Sequence, residues 1–366
     1  MQHEANITSM FMGAAAGTAA DKWQMNIELV EPACGSVTGP LQMFPWPVNG
    51  HPPSGDDWAA PVRWDDLKVL SFDRSLPRPV SFRWRAEGNG LCFDLKIADN
   101  PRLDNPHVVN DLSSPGVDVL HLHIGARYYW QVSARKGAGI LAQSPVWDFQ
   151  TNIKPPRWIF VPGITNVRDL GGWSLPDGRA IRQGVVYRSS EMNGHLEITE
   201  EGKRMLVDEL HIQTDLDLRG GDEDARPALD EKKVKWINIP ILPYSHVGDP
   251  AWQDSYRRVF DVFADPVRYP LIFHCWGGAD RAGTLALLLN ALLGKKKADI
   301  VCDYELTSLS IWGERRESSG EFQSLLDVLA PFHGEPDNLQ AQVENYLLSI
   351  GVSADAIKAI RNQLVA

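Results

Sequence analysis

Leu271-Ile-Phe-His-Cys-Trp-Gly-Gly-Ala-Asp-Arg-Ala-Gly-Thr-Leu-Ala-Leu-Leu-Leu-Asn-Ala-Leu-Leu293 is the segment that indicates the fold most directly. Its first three residues are apolar and typical of a short buried strand. The run from Ala282 to Leu293 has the composition of a buried helix and is closed by Gly294. Between strand and helix lies a loop with paired glycines, which begins with a cysteine and ends at an arginine six positions later. The pattern predicts the order strand, loop, helix.

A loop of this kind can form a cradle for an anion. Its backbone N–H groups point inward, and the positive end of the following helix dipole lies beneath them. The same surroundings favour negative charge on the sulfur of Cys275. Arg281 offers a planar fork that fits two phosphate oxygens. We therefore expect a phosphate site that contains a reactive thiol.

The alternative is a buried cysteine at a strand end, followed by an arginine on a solvated helix start. A cysteine six residues before an arginine is a weak signal by itself. That alternative does not explain the glycines Gly277 and Gly278, the histidine before the cysteine, or the order of elements. These features favour the anion site.

The segment His274-Cys275-(five residues)-Arg281 resembles the phosphate-binding loop of cysteine-dependent protein tyrosine phosphatases. The form Gly-x-Asp before the arginine is similar to the bacterial tyrosine- and lipid-phosphatase branch. The resemblance implies an α/β cysteine-phosphatase fold, with a mainly parallel sheet flanked by helices. Strand-like and helix-like segments also alternate after Arg157, which independently predicts this class.

Two further motifs resemble the same branch. They are Asn166-Val-Arg-Asp-Leu-Gly-Gly172 and Asp215-Leu-Asp-Leu-Arg219, so that the resemblance covers about residues 164–309. It implies that Arg168 and Asp169 pack beside the active site. Taken alone, the first motif could be only a turn stabilised by an Arg–Asp pair.

The resemblance also implies roles for the loop residues. Cys275 attacks phosphorus and forms a covalent phosphoenzyme, while the loop amides and the Arg281 side chain stabilise the three equatorial oxygens. No metal or other cofactor is implied, because the cradle supplies the positive charge. His274 is expected to orient the loop. The predicted substrate-binding residues are His274, Trp276, Gly277, Gly278 and Ala279.

The proton donor to the departing oxygen is open between three carboxylates. In the branch that this chain resembles, an aspartate directly before the loop arginine is proposed for the role, and here it is Asp280. The alternative is that Asp280 only holds the loop by accepting backbone hydrogen bonds. Asp249 and Asp254 lie near Trp252 on a predicted mobile loop, resemble a lid aspartate, and are the second choice.

Two positions depart from the family pattern. The residue after the loop arginine is usually Thr or Ser, whose hydroxyl assists breakdown of the phosphoenzyme, but here it is Ala282. This predicts slower dephosphorylation of the intermediate unless Thr284 or water substitutes. Lipid-active members often carry Lys before the loop aspartate, where this chain has Ala279. The loss of that cation weakens the case for phosphoinositides and other polyanionic substrates.

Composition limits the class of protein and of partner. The chain has 366 residues, 43% hydrophobic and 23% charged, which is long enough for two globular domains. A net charge of −11 argues against nucleic acid or an anionic membrane surface as a general partner. No apolar run approaches eighteen residues, so no transmembrane helix is predicted. The spacing of the four cysteines indicates neither a zinc site nor a dithiol redox pair.

The chain divides into three predicted parts. Residues 1–22 are interpreted as a flexible N-terminal tail; a degenerate or trimmed export signal is the alternative, which leaves the compartment open between cytoplasmic and exported. Residues 23–152 contain short alternating runs between Gly, Pro, Asn and Asp clusters, which predicts an all-β sandwich. Residues 153–366 form the predicted phosphatase domain, which a stiff Pro155-Pro156 linker introduces.

The end of the predicted sandwich resembles the closing strands of fibronectin type III domains, with Tyr128–Ala134 and Ser144–Thr151 as the matching runs. A strand is also predicted over Val117–His123, with His121 and His123 on one face, although a metal site would lack a third ligand. The tryptophans of this region fit either a ligand platform or the core, and the inward strand positions of two of them favour the core. These tryptophans are Trp46, Trp58, Trp64, Trp84, Trp130 and Trp147.

Together these features predict a metal-independent phosphomonoester hydrolase that acts through a cysteinyl-phosphate intermediate. The expected substrate is phosphotyrosine in a protein, or a similar small aryl phosphate. A phosphoinositide or inositol phosphate is the alternative substrate class. The alternative from another functional class is a weakly active phosphatase fold that binds phosphorylated ligands, and Ala282 favours it. Nothing in the sequence identifies a partner for the β-sandwich.

Overall fold

The structure is a computed structural model that describes residues 26–43, 73–332, 335 and 338–366. The predicted tail, residues 1–22, lies outside these ranges, as do the first residues of the predicted sandwich. The tryptophans Trp46, Trp58 and Trp64 also lie outside them.

Short strands separated by turns make up the described chain before residue 151. Apolar residues alternate with polar ones along several of them, such as β3 and β4, so that one face of these strands is buried. The strands are β1 (Ile27–Glu31), β2 (Ser36–Val37), β3 (Val80–Ala86), β4 (Cys92–Ala98), β5 (His107–Leu112), β6 (Gly116–Val119), β7 (Arg127–Lys136), β8 (Gly139–Gln143) and β9 (Trp147–Gln150).

These strands form two sheets that share one apolar core. One sheet has the order β1-β3-β6 and the other β2-β9-β7-β4-β5, with β8 paired to β7. Phe82 of β3 and Trp130 of β7 meet across the core with ring centroids 5.1 Å apart. Trp84 and Trp130 are buried, and Trp147 packs against them. The core interpretation is therefore confirmed for these three tryptophans.

The strand predicted over Val117–His123 is shorter in the structure. β6 ends at Val119, and His121 has a φ of +65°, which no strand accommodates. His121 Nε2 accepts a hydrogen bond from the backbone N–H of Phe160 at 2.9 Å. The placement of His121 and His123 on one strand face is therefore wrong, and His121 instead contacts the region that follows.

Strands alternate with helices after Arg157, which confirms the predicted mixed α/β class. The side chains of Thr199 and Ser353 cap α1 and α7 by accepting hydrogen bonds from the backbone N–H groups of Gly202 and Ala356. No helix among the residues described here combines the length and the apolar character needed to cross a membrane. The elements are β10 (Arg168–Asp169), β11 (Val186–Ser189), α1 (Glu200–Arg204), β12 (Thr214–Asp217), β13 (Lys235–Asn238), α2 (Pro250–Ala264), β14 (Leu271–His274), α3 (Arg281–Leu292), α4 (Lys297–Glu305), α5 (Gly320–Leu329), α6 (Leu339–Ser349) and α7 (Ala354–Leu364).

β14 is the central strand of a sheet with the order β10-β11-β14-β12-β13. Its neighbours β11 and β12 both run parallel to it. Leu271 and Phe273 pack into one core cluster, and Ile272 packs into a separate cluster that includes Leu206. Because β14 is buried on both faces, its carboxyl end opens at the edge where parallel sheets place their ligand sites. Cys275 follows that end directly.

Buried polar side chains join the β region to the α/β region. Arg157 donates to the Leu122 carbonyl oxygen and pairs with Asp169 at 2.8 Å. Gln183 and the backbone of Ile124 exchange two hydrogen bonds of 2.9 and 2.8 Å. Hydrogen bonds and an ion pair, and not apolar packing alone, therefore hold the two regions together at this junction.

Candidate active site

Residues 275–280, the reactive loop, connect β14 to α3 in a tightly packed turn. Cys275 at its start is only 2% exposed. Gly278 has a φ of +64°, and a Cβ atom there would lie 2.3 Å from the carbonyl oxygen of Ser189. A Cβ atom on Gly277 would lie 2.8 Å from the ring of Trp312. Both glycines are therefore required, since the loop passes between the end of β11 and Trp312.

The loop turns its carbonyl groups toward the protein. The side-chain amide of Asn166 donates to the carbonyl oxygens of Gly277 and Gly278 at 3.0 and 3.3 Å. Arg188 Nη2 donates to the Gly278 carbonyl oxygen at 2.6 Å. Across the described ranges, the backbone N–H groups of residues 277–280 donate to no other residue. Because a buried amide needs an acceptor, these N–H groups could bind an anion placed above the loop.

Two buried arginines lie behind the loop and share one carboxylate. Arg168 and Arg188 each reach Asp303 of α4 at 2.9 Å. Burial and the nearby Arg168 charge lower the pKa of Arg188 to about 10. Burial alone would raise the pKa of Asp303, but the two arginines hold it well below its usual value. The cluster therefore leaves excess positive charge beneath the loop.

Glu223 pairs with the arginine at the end of the loop. Both carboxylate oxygens accept from the Arg281 guanidinium, and the Nη2–Oε1 distance is 2.6 Å. This hydrogen bond holds the pKa of Glu223 below its ordinary value. Burial opposes the charge of Arg281, but the Glu223 partner raises its pKa. The pair orients the guanidinium and partly neutralises it.

Asp280 acts as a hydrogen-bond acceptor at the other side of the loop. Arg315 donates to both of its carboxylate oxygens, at 3.0 and 3.1 Å, and the Tyr244 hydroxyl donates to one of them. Burial and the neighbouring Asp280 charge raise the pKa of Tyr244, which keeps the phenol protonated as a donor. Asp280 thereby fastens the segment that carries Trp312 and Arg315 to the loop.

His274 is held by carboxylates of the neighbouring strand β12. Its Nε2 lies 3.0 Å from Asp215, and its Nδ1 lies 3.8 Å from Asp217. Burial would lower the pKa of His274, but these two carboxylates raise it. Asp217 in turn pairs with Arg219 at 2.8 Å. The motif Asp215–Arg219 therefore fixes the histidine that precedes Cys275.

An imidazole that the sequence did not suggest lies at the rim of the loop. The His195 ring stacks on Trp276 with centroids 4.3 Å apart and planes 19° apart. Its Nδ1 lies 3.2 Å from Glu191, whose backbone N–H donates to the Trp276 carbonyl oxygen at 2.7 Å. The pair Glu191/His195 at four residues' separation was the available sequence signal, but nothing local connects it to Trp276.

Other predicted residues lie in different settings. Arg168 contacts Asn166, which holds the loop, whereas Asp169 pairs with Arg157 at the junction of the two regions. Asp249 caps α2 through the amide of Ala251. Asp254 pairs with Arg257 on the exposed side of the same helix at 2.6 Å.

The position after the loop arginine is buried. Ala282 has no exposed surface, and the Thr284 hydroxyl accepts a hydrogen bond from the backbone N–H of Tyr244 at 3.1 Å. The Thr284 hydroxyl therefore already has a structural contact, and it lies two residues beyond the position where the family usually places a hydroxyl.

Neither a metal nor a large cavity identifies a competing site. In the described part of the chain, no three His, Cys, Asp or Glu side chains are grouped to hold a metal ion. A cavity of about 270 Å³ lies at the junction, with a mainly apolar lining that includes Leu76, Leu120 and Phe160. Its charged lining residue, Asp118, is paired with Arg83, whereas the reactive loop combines a thiol, amide donors and an arginine.

Known proteins with similar sequences are tyrosine phosphatases. A protein of Cupriavidus necator provisionally named a tyrosine-protein phosphatase is 32% identical over 168 residues, covering 38% of this chain and 59% of that protein. The chain thus spans about three fifths of that relative's length. A tyrosine-protein phosphatase of Nostoc commune is 28% identical over 200 residues, covering 42% of this chain and 67% of that protein.

Among solved structures, the core catalytic domain of the PP-IP phosphatase SIW14 from S. cerevisiae, in complex with citrate, is 17% identical with a TM-score of 0.30. The match covers 40% of this chain and 83% of that domain. The model of the tyrosine phosphatase family matches residues 159–366, more than half of the chain and all of the reactive loop. The chain therefore belongs to the tyrosine phosphatase family.

Proposed function

We propose that this chain hydrolyses phosphomonoesters through a cysteinyl-phosphate intermediate, and that phosphotyrosine or a similar aryl phosphate is its substrate. One observation carries the proposal. Cys275 leads into a loop whose carbonyl groups are bonded to Asn166 and Arg188, while its amides from 277 to 280 donate to no described residue. Such amides match the equatorial oxygens of a phosphoryl group held above the thiol.

Each reacting group then has a defined task. The Cys275 thiolate attacks phosphorus, and the loop amides with Arg281 bind the three equatorial oxygens. The cluster of Arg168 and Arg188 beneath the loop supplies net positive charge next to the phosphoryl site, because two cations share the single carboxylate of Asp303. His274, fixed by β12, orients the start of the loop.

Asp280 serves the structural role in this proposal. Both of its oxygens accept from Arg315, and Tyr244 adds a further donor. The carboxyl group would have to leave these partners before it could carry a proton to a leaving oxygen. Its contacts fasten the segment with Trp312 beside the loop, which supports the alternative that Asp280 holds the site together.

Aromatic side chains at the loop support an aryl substrate. Trp276 is partly exposed and stacks with His195. Trp312, also partly exposed, packs on Gly277 from the other side. Flat apolar surfaces suit the ring of a phosphotyrosine. Ala279 supplies no cation at the position where lipid-active members often have Lys.

A second function, a phosphoryl-binding module with little turnover, has its own support. Ala282 is buried without a hydroxyl, and the Thr284 hydroxyl is bonded to Tyr244. The missing hydroxyl would slow the second chemical step more than it would weaken binding.

We also propose that residues 23–152 form a fibronectin type III-like sandwich and residues 153–366 the catalytic domain with a cysteine-phosphatase fold. Two mainly antiparallel sheets around one core support the first part. The parallel strands β11, β14, β12 and β13, with the loop at the carboxyl end of β14, support the second.

The experiment is hydrolysis of p-nitrophenyl phosphate in EDTA by wild type and by Cys275→Ser. The proposal predicts turnover that EDTA does not change and that Cys275→Ser abolishes. Absence of wild-type turnover, with retained vanadate binding, would support the binding module instead. A panel of phosphotyrosine peptides and phosphoinositides then decides the substrate class.

A further inference from the structure

We propose that His195, oriented by Glu191, is the proton donor to the leaving oxygen; this inference rests on the phosphatase function proposed above. The family resemblance assigns no role to either residue. Their contacts with each other and with the reactive loop carry the inference.

The turn from Glu191 to Leu196 is built around the Glu191 carboxylate. Oε1 accepts hydrogen bonds from the backbone N–H groups of His195 and Leu196 at 2.7 and 3.2 Å, in addition to the His195 Nδ1 contact. Gly194 has a φ of +133°, and a Cβ atom there would lie 2.5 Å from Oε2. The backbone therefore folds closely around an acid that fixes one imidazole.

Arg219 anchors the same carboxylate from the other side. Its Nη1 lies 3.2 Å from Glu191 Oε2, and it also pairs with Asp217 of β12. The Glu191 side chain is only 3% exposed. The imidazole is thus tied, through Glu191 and Arg219, to the strand that also positions His274.

The imidazole itself stands at the solvent border of the loop. The His195 side chain is 49% exposed, and its ring stacks on Trp276, the residue after Cys275. The leaving group of a phosphoryl transfer departs opposite the nucleophile, that is, toward the open side of the loop. A buried carboxylate behind a partly exposed imidazole is an arrangement suited to proton transfer at that position.

The proposed reaction has two chemical steps, in which one proton leaves His195 and then returns to it. With Nδ1–H donated to Glu191, the transferred proton resides on Nε2 of the imidazolium. In the first step the Cys275 S–P bond forms, the bond from phosphorus to the leaving oxygen breaks, and the Nε2 proton passes to that oxygen. In the second step neutral Nε2 takes a proton from water as the water oxygen bonds to phosphorus and the S–P bond breaks. Imidazolium, thiolate and phosphate result.

The test is a series of aryl phosphates whose phenols differ in leaving ability, from 2,4-dinitrophenyl phosphate to phenyl phosphate. A good leaving group needs no proton, whereas phenolate does. His195→Phe keeps a ring on Trp276 but cannot transfer a proton. We expect its kcat/KM to fall about 100-fold for phenyl phosphate, within the range for lost general-acid catalysis, and to change little for the dinitrophenyl ester. His107→Phe, at an exposed histidine of β5, is the control and should match wild type across the series.

Several results would overturn the inference. An equal loss for all esters, or no loss, would mean that His195 has only a structural role. If Asp280→Asn steepens the dependence on the leaving group while His195→Phe does not, Asp280 is the donor. His195→Gln repeats the test if the Phe variant does not fold, and vanadate inhibition reports an intact loop in either variant. Failure of the phosphatase function is recognised separately, because wild type would then turn over no ester or Cys275→Ser would retain activity.

Discussion

Glu223 reduces the positive charge on which anion binding at the loop depends. Its ion pair with Arg281 is partly buried, with side-chain exposures of 26% and 14%. Glu223→Gln keeps an acceptor for the guanidinium but removes the opposing charge. A partly exposed pair of this kind is worth about 1 kcal/mol. We therefore expect inorganic phosphate to inhibit the variant about fivefold more strongly.

Glu223→Ala is a second variant that separates the charge of Glu223 from its hydrogen bonds to Arg281. It removes both the charge and the orienting hydrogen bonds, so we expect kcat to fall although the opposing charge is gone. Inhibition constants for phosphate, measured with p-nitrophenyl phosphate, check both statements. Weaker phosphate inhibition of Glu223→Gln would mean that Glu223 mainly orients Arg281 and does not compete with the anion.

The missing hydroxyl at Ala282 can be restored. Ala282→Thr should raise kcat if breakdown of the cysteinyl phosphate is the slow step, because the hydroxyl stabilises the departing thiolate. Ala282 is fully buried, so added atoms can strain the helix start. Ala282→Val has nearly the same shape without the hydroxyl and should show only that strain. Pre-steady-state kinetics check the prediction by measuring the burst rate and the steady-state rate of each variant. If Ala282→Thr and Ala282→Val have the same burst rate and the same steady-state rate, the prediction is wrong.

Residue-scale features were predictable where they are local in sequence. The spacing of Cys275 and Arg281 indicated the cradle because both flank one loop. The partner of Arg281 lies 58 positions away, and Arg315 lies 35 positions from Asp280. A local sequence pattern cannot reveal pairs that are separated by so many residues. The sequence therefore did not predict these pairings or the stacking of His195 on Trp276.

The reactive loop, as an element, depends on glycine at its tightest point. Gly278→Ala would place a Cβ atom against the backbone of Ser189 in a positive-φ conformation. Such strain costs about 1–3 kcal/mol. We expect lower thermal stability and a loop displaced from its anion-binding geometry.

Gly283→Ala, in helix α3, is the matched control. A Cβ atom there would lie 3.5 Å from the side chains of Arg188 and Tyr304, which is an ordinary van der Waals contact. We expect that variant to keep wild-type activity. Melting temperatures and vanadate inhibition of the two variants check the comparison. Equal behaviour of both would contradict the close packing of the loop on β11.

Elements with a buried face were predictable, and exposed ones were not. The central strand β14 and the helix α3 are mostly apolar and buried, so their types were evident. β5 and β8 are mostly exposed along their length. They show no alternation of apolar and polar residues, and the sequence therefore did not predict them. Helix α1 ends at Arg204, and the chain continues as a π-helical segment over Met205–Glu209.

At the scale of the whole molecule, the junction between its two regions is sensitive to acid. Burial first, and the charge of Arg157 second, lower the pKa values of His121 and His123 to about 4. An unfolded chain binds these protons near the ordinary histidine pKa of about 6.5. Between these values the unfolded state holds more protons, so stability falls as the pH drops from about 6.5 toward 4.

Melting temperatures of wild type and His123→Gln at pH 7.5 and pH 5 check this prediction. The variant should lose less stability between the two pH values than wild type does, because one of the two histidines no longer contributes. Equal losses would contradict it. The comparison between variants removes the contribution of carboxylates that titrate in the same range.

The contacts at the junction were not predictable from the sequence. Arg157 contacts the carbonyl oxygen of Leu122, 35 positions away, and Gln183 contacts Ile124, 59 positions away. Contacts of this range depend on how the completed sheets meet. Sequence periodicity reports only which residues of one element are buried.

In the proposed mechanism, Cys275 carries the phosphoryl group during turnover. The most direct measurement is rapid acid quenching of the enzyme with an aryl phosphate, followed by mass spectrometry of the peptide that contains Cys275. We predict a phosphate adduct on that cysteine, formed in a burst with release of the phenol, since Ala282 slows the step that removes it. Turnover without any adduct on Cys275, or undiminished turnover by Cys275→Ser, would contradict the account.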